Sequence, residues 1–276
     1  MPPQSNSPGS AQRQPLGKAI QILELLADLL PNEGGVREIA AALRIPATTA
    51  HRTLRNLEAE GIVESNGQTG RYRVAPRFLK LAWTATTRYP LTSSALPLMQ
   101  ELVDAVDETA FLALYDRRRM EMTLAAKVDS SHPLQYVIEL NRWLPVYAGA
   151  GGLGIMSFLP AEERRAIIQS TRLRPITEWT ETDPAELERL MARFRKQGYA
   201  RTIGQRVPDA VGMSAPVWSA DGRVVGDVVL TIPNQRFTNS MEPGLAAQVI
   251  ACAGQISAAI NGHPPASFDE IEGAQQ

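Results

Sequence analysis

The chain has 276 residues, 44% of them hydrophobic, a formal net charge of −1 and one cysteine. The length and apolar share suffice for two domains with packed cores, and the lone Cys252 excludes an intramolecular disulfide framework and fits a reducing cytoplasm. No apolar run reaches the ~18 residues of a membrane-spanning helix, and residues 1–14, rich in Pro, Ser and Gln, read as a disordered arm with no signal-peptide core.

Residues 16–30 predict an amphipathic helix with Ile20, Leu23, Leu26 and Leu30 on one face. Residues 36–74 then read as helix, tight turn, helix and β-hairpin, a winged helix-turn-helix. Val36, Ile39, Ala40 and Leu43 recur at helical spacing, and Pro46 suits the first turn of the second helix, where its missing N–H is no loss. In that helix Ala50, Leu54 and Leu57 form the buried stripe. The polar face carries Thr48, Thr49, His51, Arg52, Arg55 and Asn56, side chains able to reach phosphates and base edges in a major groove. Gly61 stops the helix. The wing places Arg71 and Arg73 on its returning strand, beside the phosphate track. Charge is distributed accordingly: residues 1–90 hold 11 Lys and Arg against 7 Asp and Glu, and the remainder 17 against 22. The near-neutral whole conceals a basic first third suited to a polyanion.

Pro76 opens a helix over 77–88 that Tyr89-Pro90 ends, and another helix spans 93–106. Strands are expected at 109–115, 120–128 and 135–140, with Arg117, Arg118 and Arg119 in a solvated turn. A glycine-rich helix start at 149–159 precedes amphipathic helices at 162–171 and 184–197. Strands at 211–218 and 224–232 flank the hairpin signal Asp221-Gly222, and a last helix covers 241–260. Strands and helices in this mixed order predict an α+β domain on an antiparallel sheet.

The ordered set of segments PLGKAIQILELLADL, EIAAALRIPATTAHRTLRNLEAEGIVE, GRYRVAPRFLKLA, LPVYAGAGGLGIMSFLP, GYA and SAPVWSADGRVVGDVVLTIP resembles the IclR-type transcriptional regulators from about Leu16 to Gly262. The resemblance implies a winged helix-turn-helix DNA-binding domain (15–76), a linker helix (77–91) and a GAF/PAS-like effector-binding domain (92–263), between the disordered arm (1–14) and a tail (264–276) that reads as disordered. It also implies a homodimer or dimer of dimers on a pseudo-palindromic double-stranded operator, with the linker helix helping to pair the DNA-binding domains. The effector-contacting positions it implies are Gly149, Ala150, Gly151, Thr202, Gly212, Val229 and Thr231. A helix N-terminus offers unpaired N–H groups to a carboxylate, so the amides of Gly149 to Gly151 are its expected receptor.

Departures from the family pattern are informative. Leu153 replaces a customary lysine, Thr202, Ile203, Gly204 and Gln205 a customary acidic run, Gly212 a frequent cysteine, and Val229 and Thr231 two serines. Most of these changes remove a polar group or shrink a side chain, which favours an aromatic or longer-chain acid over a small oxoacid. Phe111, Trp143, Tyr147 and Met213 are candidate walls.

An enzyme is the competing reading, because residues 149–154 satisfy G-x-G-x-x-G, a nucleotide-binding fingerprint that requires a parallel strand-helix-strand unit. Otherwise the chain shows no nucleophile elbow and no paired metal-binding histidines, and no cofactor or metal is expected. Cys252, among alanines and isoleucine in the last helix, reads as a small buried hydrophobe.

Overall fold

The computed structural model describes residues 15–134, 136 and 138–265. The expected arm at 1–14 and the tail beyond 265 lie outside the described residues. The chain divides after Thr87 into two compact units.

The first unit contains α1 (Pro15–Asp28), α2 (Val36–Ala42), α3 (Ala47–Ala59), the antiparallel hairpin β1 (Val63–Ser65) and β2 (Tyr72–Val74), and α4 (Pro76–Arg88). Ile22 and Leu26 of α1, Ile39 of α2, Leu54 of α3 and Val63, Tyr72 and Val74 of the wing form one core. The buried face of α1 keeps Leu26 and, partly buried, Leu23 of the expected stripe. Ile20 and Leu30 are 48% and 46% exposed, while Ile22 takes the interior position. With leucines and isoleucines on several sides of α1, periodicity alone placed Leu23 and Leu26 correctly but misplaced Ile20 and Leu30. No residue of α4 is buried, and Leu79, Leu81 and Trp83 on it are exposed.

The second unit is a six-stranded, wholly antiparallel sheet between two helical layers. Its strands are β3 (Thr109–Asp116), β4 (Glu121–Val128), β5 (Trp143–Pro145), β6 (Ala200–Ile203), β7 (Ala210–Trp218) and β8 (Val224–Pro233), in the order β5-β4-β3-β8-β7-β6. Helices α5 (Pro90–Val106) and α9 (Glu242–Ala259) cover one face. Helices α6 (Gly149–Ser157) and α8 (Pro184–Gln197) cover the other, with α7 (Ala161–Ser170) adding Ile167 to that layer. Period-2 alternation sends Ala110 and Leu112 of β3, and Val228, Leu230 and Ile232 of β8, to the α5–α9 side. Phe111, Ala113 and Val229 go to the α6–α8 side.

In β4 one extra residue sits between the partners of Leu112 and Ala113, which are Ala126 and Leu124. This bulge reverses the faces, so Met122 and Leu124 join the α6 layer while Ala126 and Val128 join the α5 layer. The strand expected at 135–140 is not formed by its described residues. Trp143–Pro145 pairs with β4 instead, and β6 completes the far edge, a strand that sequence reading left out. Arg117, Arg118 and Arg119 lie in an exposed turn, as expected. Cys252 is buried, and burial pushes its thiol up to about 12.

Candidate nucleic-acid interface and ligand cavity

In the first unit Pro46 caps α3 in extended conformation, and Gly61, with φ of 66°, follows its last turn. Ala50 and Leu54 are fully buried. The opposite side leaves Thr48, His51, Arg52, Arg55 and Asn56 exposed and Thr49 half-buried. Thr49, Arg52 and Asn56 line a groove against α1. Arg55 pairs with Glu58 one turn on, at 3.1 Å. Arg52 has no ion pair among the described residues and is the cation of this face most available to a partner.

Both wing arginines are already engaged. Arg73 Nε lies 2.7 Å from Glu64 Oε1, its direct cross-strand neighbour. Arg71 donates to both carboxylate oxygens of Glu38, at 2.9 and 2.7 Å, and to the Glu33 carbonyl at 2.6 Å. Glu38 in turn accepts from the Gly35 N–H at the start of α2, at 3.1 Å. Hydrogen bonds from Arg71 hold the Glu38 carboxyl below the usual carboxylate range. The wing is thus clamped to the helix preceding α3.

In the second unit all seven expected effector positions, Gly149, Ala150, Gly151, Thr202, Gly212, Val229 and Thr231, line one cavity. Phe111, Met122, Leu124 and Ile138 supply apolar walls. Space for the centres of water molecules measures about 60 Å³, against the ~10–15 Å³ one water needs. Of the other expected walls, Trp143 is 41% exposed with the Arg119 guanidinium 4.7 Å over its ring. Tyr147 donates to the Arg174 carbonyl at 3.0 Å. Met213 points into the core under α5 and α9, because odd positions of β7 face that side.

The glycines of α6 serve packing as well. A Cβ on Gly151 would stand 2.9 Å from Val229 Cγ2, and one on Gly154 would stand 2.1 Å from Ser214 Oγ and 2.7 Å from Asp227 Oδ2. The helix lies so low on the sheet that side chains there have no room. Gly149, with φ of 74°, approaches Arg206 so closely that a Cβ would be 2.9 Å from the Arg206 Cβ. No side chain caps the N-terminus of α6.

Arg206 and Asp227 escaped sequence reading, and Gln205 entered it only as a departure from an acidic run. Arg206 and Gln205 lie in the loop between β6 and β7 and line the cavity. Arg206 donates through Nη2 to the Pro145 and Ala148 carbonyls, the latter at 2.7 Å. Its Nε is buried with no partner among the described residues, as is Gln205 Oε1. Burial depresses the Arg206 guanidinium to about 10, so it stays cationic at neutral pH. The loop is fixed by Thr177 and Thr180, whose hydroxyls donate to the Gly204 and Gln205 carbonyls at 2.7 Å each. Asp227, on β8 beneath α6, is 0% exposed, and burial raises its carboxyl well above the usual range. The neighbouring Ser214 hydroxyl donates to the Ala150 carbonyl at 2.8 Å. The only sequence signal for the loop was the missing acidic run at 202–205.

The G-x-G-x-x-G segment has no parallel strand on either side. Among the described residues no helix is long and apolar enough to cross a membrane, and no metal-binding cluster occurs.

Residues 15–67 match the IclR helix-turn-helix domain, and residues 83–258 match the C-terminal domain of the bacterial transcriptional regulator IclR. The HTH-type transcriptional regulator Rv1719 of Mycobacterium tuberculosis is 30% identical, over 87% of this chain and 90% of its own. A putative IclR regulator from Silicibacter sp. TM1040 superposes with a TM-score of 0.82 at 23% identity, over 91% of this chain and 98% of its own. An IclR homologue of Microbacterium hydrocarbonoxydans, crystallised with 4-hydroxybenzoate, gives 0.74 at 24% identity, over 90% and 99%.

Proposed function

The chain belongs to the IclR family of DNA-binding transcriptional regulators, and on that footing we propose that an organic acid held in the cavity of its second unit sets its affinity for DNA. The observation that carries this reading is the convergence of seven positions, far apart in sequence, on one largely apolar cavity beside the N-terminus of α6. Apolar walls with few polar groups suit an aromatic or longer-chain acid. The related fold that holds 4-hydroxybenzoate supports the same class of ligand. The ligand acts by linkage: it shifts operator affinity as far as it prefers one arrangement of the regulator over another.

On the DNA side we assign Thr48, Thr49, His51, Arg52 and Arg55 to the major groove and Arg71 and Arg73 to the backbone track. A pseudo-palindromic operator requires paired winged helices. The exposed Leu79, Leu81 and Trp83 of α4 are suited to pairing copies of the chain as a homodimer or dimer of dimers in the cytoplasm.

A thermal-shift screen, followed by gel shifts on an operator selected from random duplexes, tests the reading. Aromatic and longer-chain acids are expected to raise the melting temperature and change DNA affinity. Stabilisation by glyoxylate or pyruvate alone overturns the ligand class. A nucleotide-induced shift with no DNA binding favours an enzyme.

A further inference from the structure

We infer that Arg206 anchors the cavity's ligand through its buried Nε–H, and that Gln205 Oε1 selects acids which also carry a hydrogen-bond donor. The inference rests on the cavity being the effector site.

A guanidinium withdrawn from water needs an anion or a full set of acceptors. Arg206 has two backbone carbonyls on Nη2 and no carboxylate partner among the described residues. Its Nε–H is buried without a partner among the described residues, in a side chain that lines a cavity otherwise walled by apolar and neutral residues. Asp227, buried beneath α6, forms no ion pair with Arg206 among the described residues. A carboxylate placed here gains a charge-assisted bond from Nε and the favourable end of α6. Preorganisation is built in: Pro145 and Ala148 hold the guanidinium, and Thr177 and Thr180 hold the loop.

Gln205 adds the second selection. Its Oε1 is an acceptor without a donor among the described residues. A hydroxyl or N–H on the ligand satisfies it, whereas a plain hydrocarbon acid leaves it unpaired at a cost. The ligand class is therefore a hydroxylated, or otherwise donor-bearing, carboxylic acid.

The test uses the full-length protein and a panel of benzoates, phenylacetates and aliphatic acids. Each acid is paired with its hydroxylated form and its primary amide, and binding is measured by calorimetry. Wild type is expected to bind the best acid at least roughly tenfold tighter than its amide. Arg206→Met should bring the acid down to the amide's level, and Arg206→Lys should recover part of the difference. Gln205→Leu should erase the preference for the hydroxylated acid. If Arg206 only tethered the Pro145 and Ala148 carbonyls, Arg206→Met would lower the ligand-free melting temperature yet keep the acid-over-amide ratio, and that outcome overturns the inference while leaving the effector reading intact. A wild-type ratio near one overturns it without any variant, should Arg206→Met fail to fold. Failure of every acid to bind wild type instead removes the effector reading itself.

Discussion

Arg71 Nη2 sits 2.7 Å from Glu38 Oε2, and through this pair the returning strand of the wing is fixed to the start of α2. The arginine proposed for the backbone track is also held as a clamp. Glu38→Gln and Arg71→Ala are both expected to weaken binding to all duplexes, because each frees the wing. If Arg71 acted on phosphate alone, Glu38→Gln would bind at least as well as wild type, having lost an acid near DNA. Arg71→Ala would then flatten the salt dependence by about one unit.

Arg52 and Arg55 differ in a measurable way. Arg55 has Glu58 at 3.1 Å, whereas Arg52 has no ion pair among the described residues. Arg52→Ala should therefore cost more operator affinity, about 1–3 kcal/mol if it makes a bidentate base contact. Arg55→Ala should cost less and leave a stronger residual preference for the operator over random duplex. Wild-type affinity for both variants at unchanged melting temperature removes α3 from base readout.

Asp227 makes stability depend on pH. Its carboxyl titrates well above the ordinary aspartate value of about 3.8 when folded, chiefly through burial. The folded chain thus holds a proton that the unfolded chain releases. That contribution is complete below about 3.8 and declines as pH rises towards the folded value, by about 1.4 kcal/mol per pH unit. Asp227→Asn should flatten this slope in denaturant melts across an acid-to-neutral series. An unchanged slope assigns the proton elsewhere.

Gly154→Ala should destabilise the second unit by about 1–3 kcal/mol through overpacking, since the new methyl meets Ser214 Oγ. Adding Ser214→Ala removes that obstacle and should restore part of the loss. The double-mutant cycle reads the coupling directly, and additive losses would show that the helix shifts as a whole.

Local chemistry was enough for much of this protein. Pro46, Gly61 and the spacing of Ile39, Ala40, Ala50 and Leu54 specify the winged helix, because capping and 3.6-residue periodicity act within a few neighbours. The glycine run at 149–154 marked one wall of the cavity, and the chain's order of segments marked the other positions. Tertiary structure decided the rest. The bulge in β4 turned Met122 and Leu124 towards α6, although they share parity with Ala126 and Val128. Leucine-rich α1 took its interior face from the partners available to it. Arg206 and Asp227 read in sequence as ordinary charged residues of a loop and a strand. They are unusual only because residues 58 and 76 positions away in the chain, at Ala148 and Gly151, fold over them. Burial is a property of the whole chain's packing, and desolvation, the physical origin of both residues' altered chemistry, has no local signature.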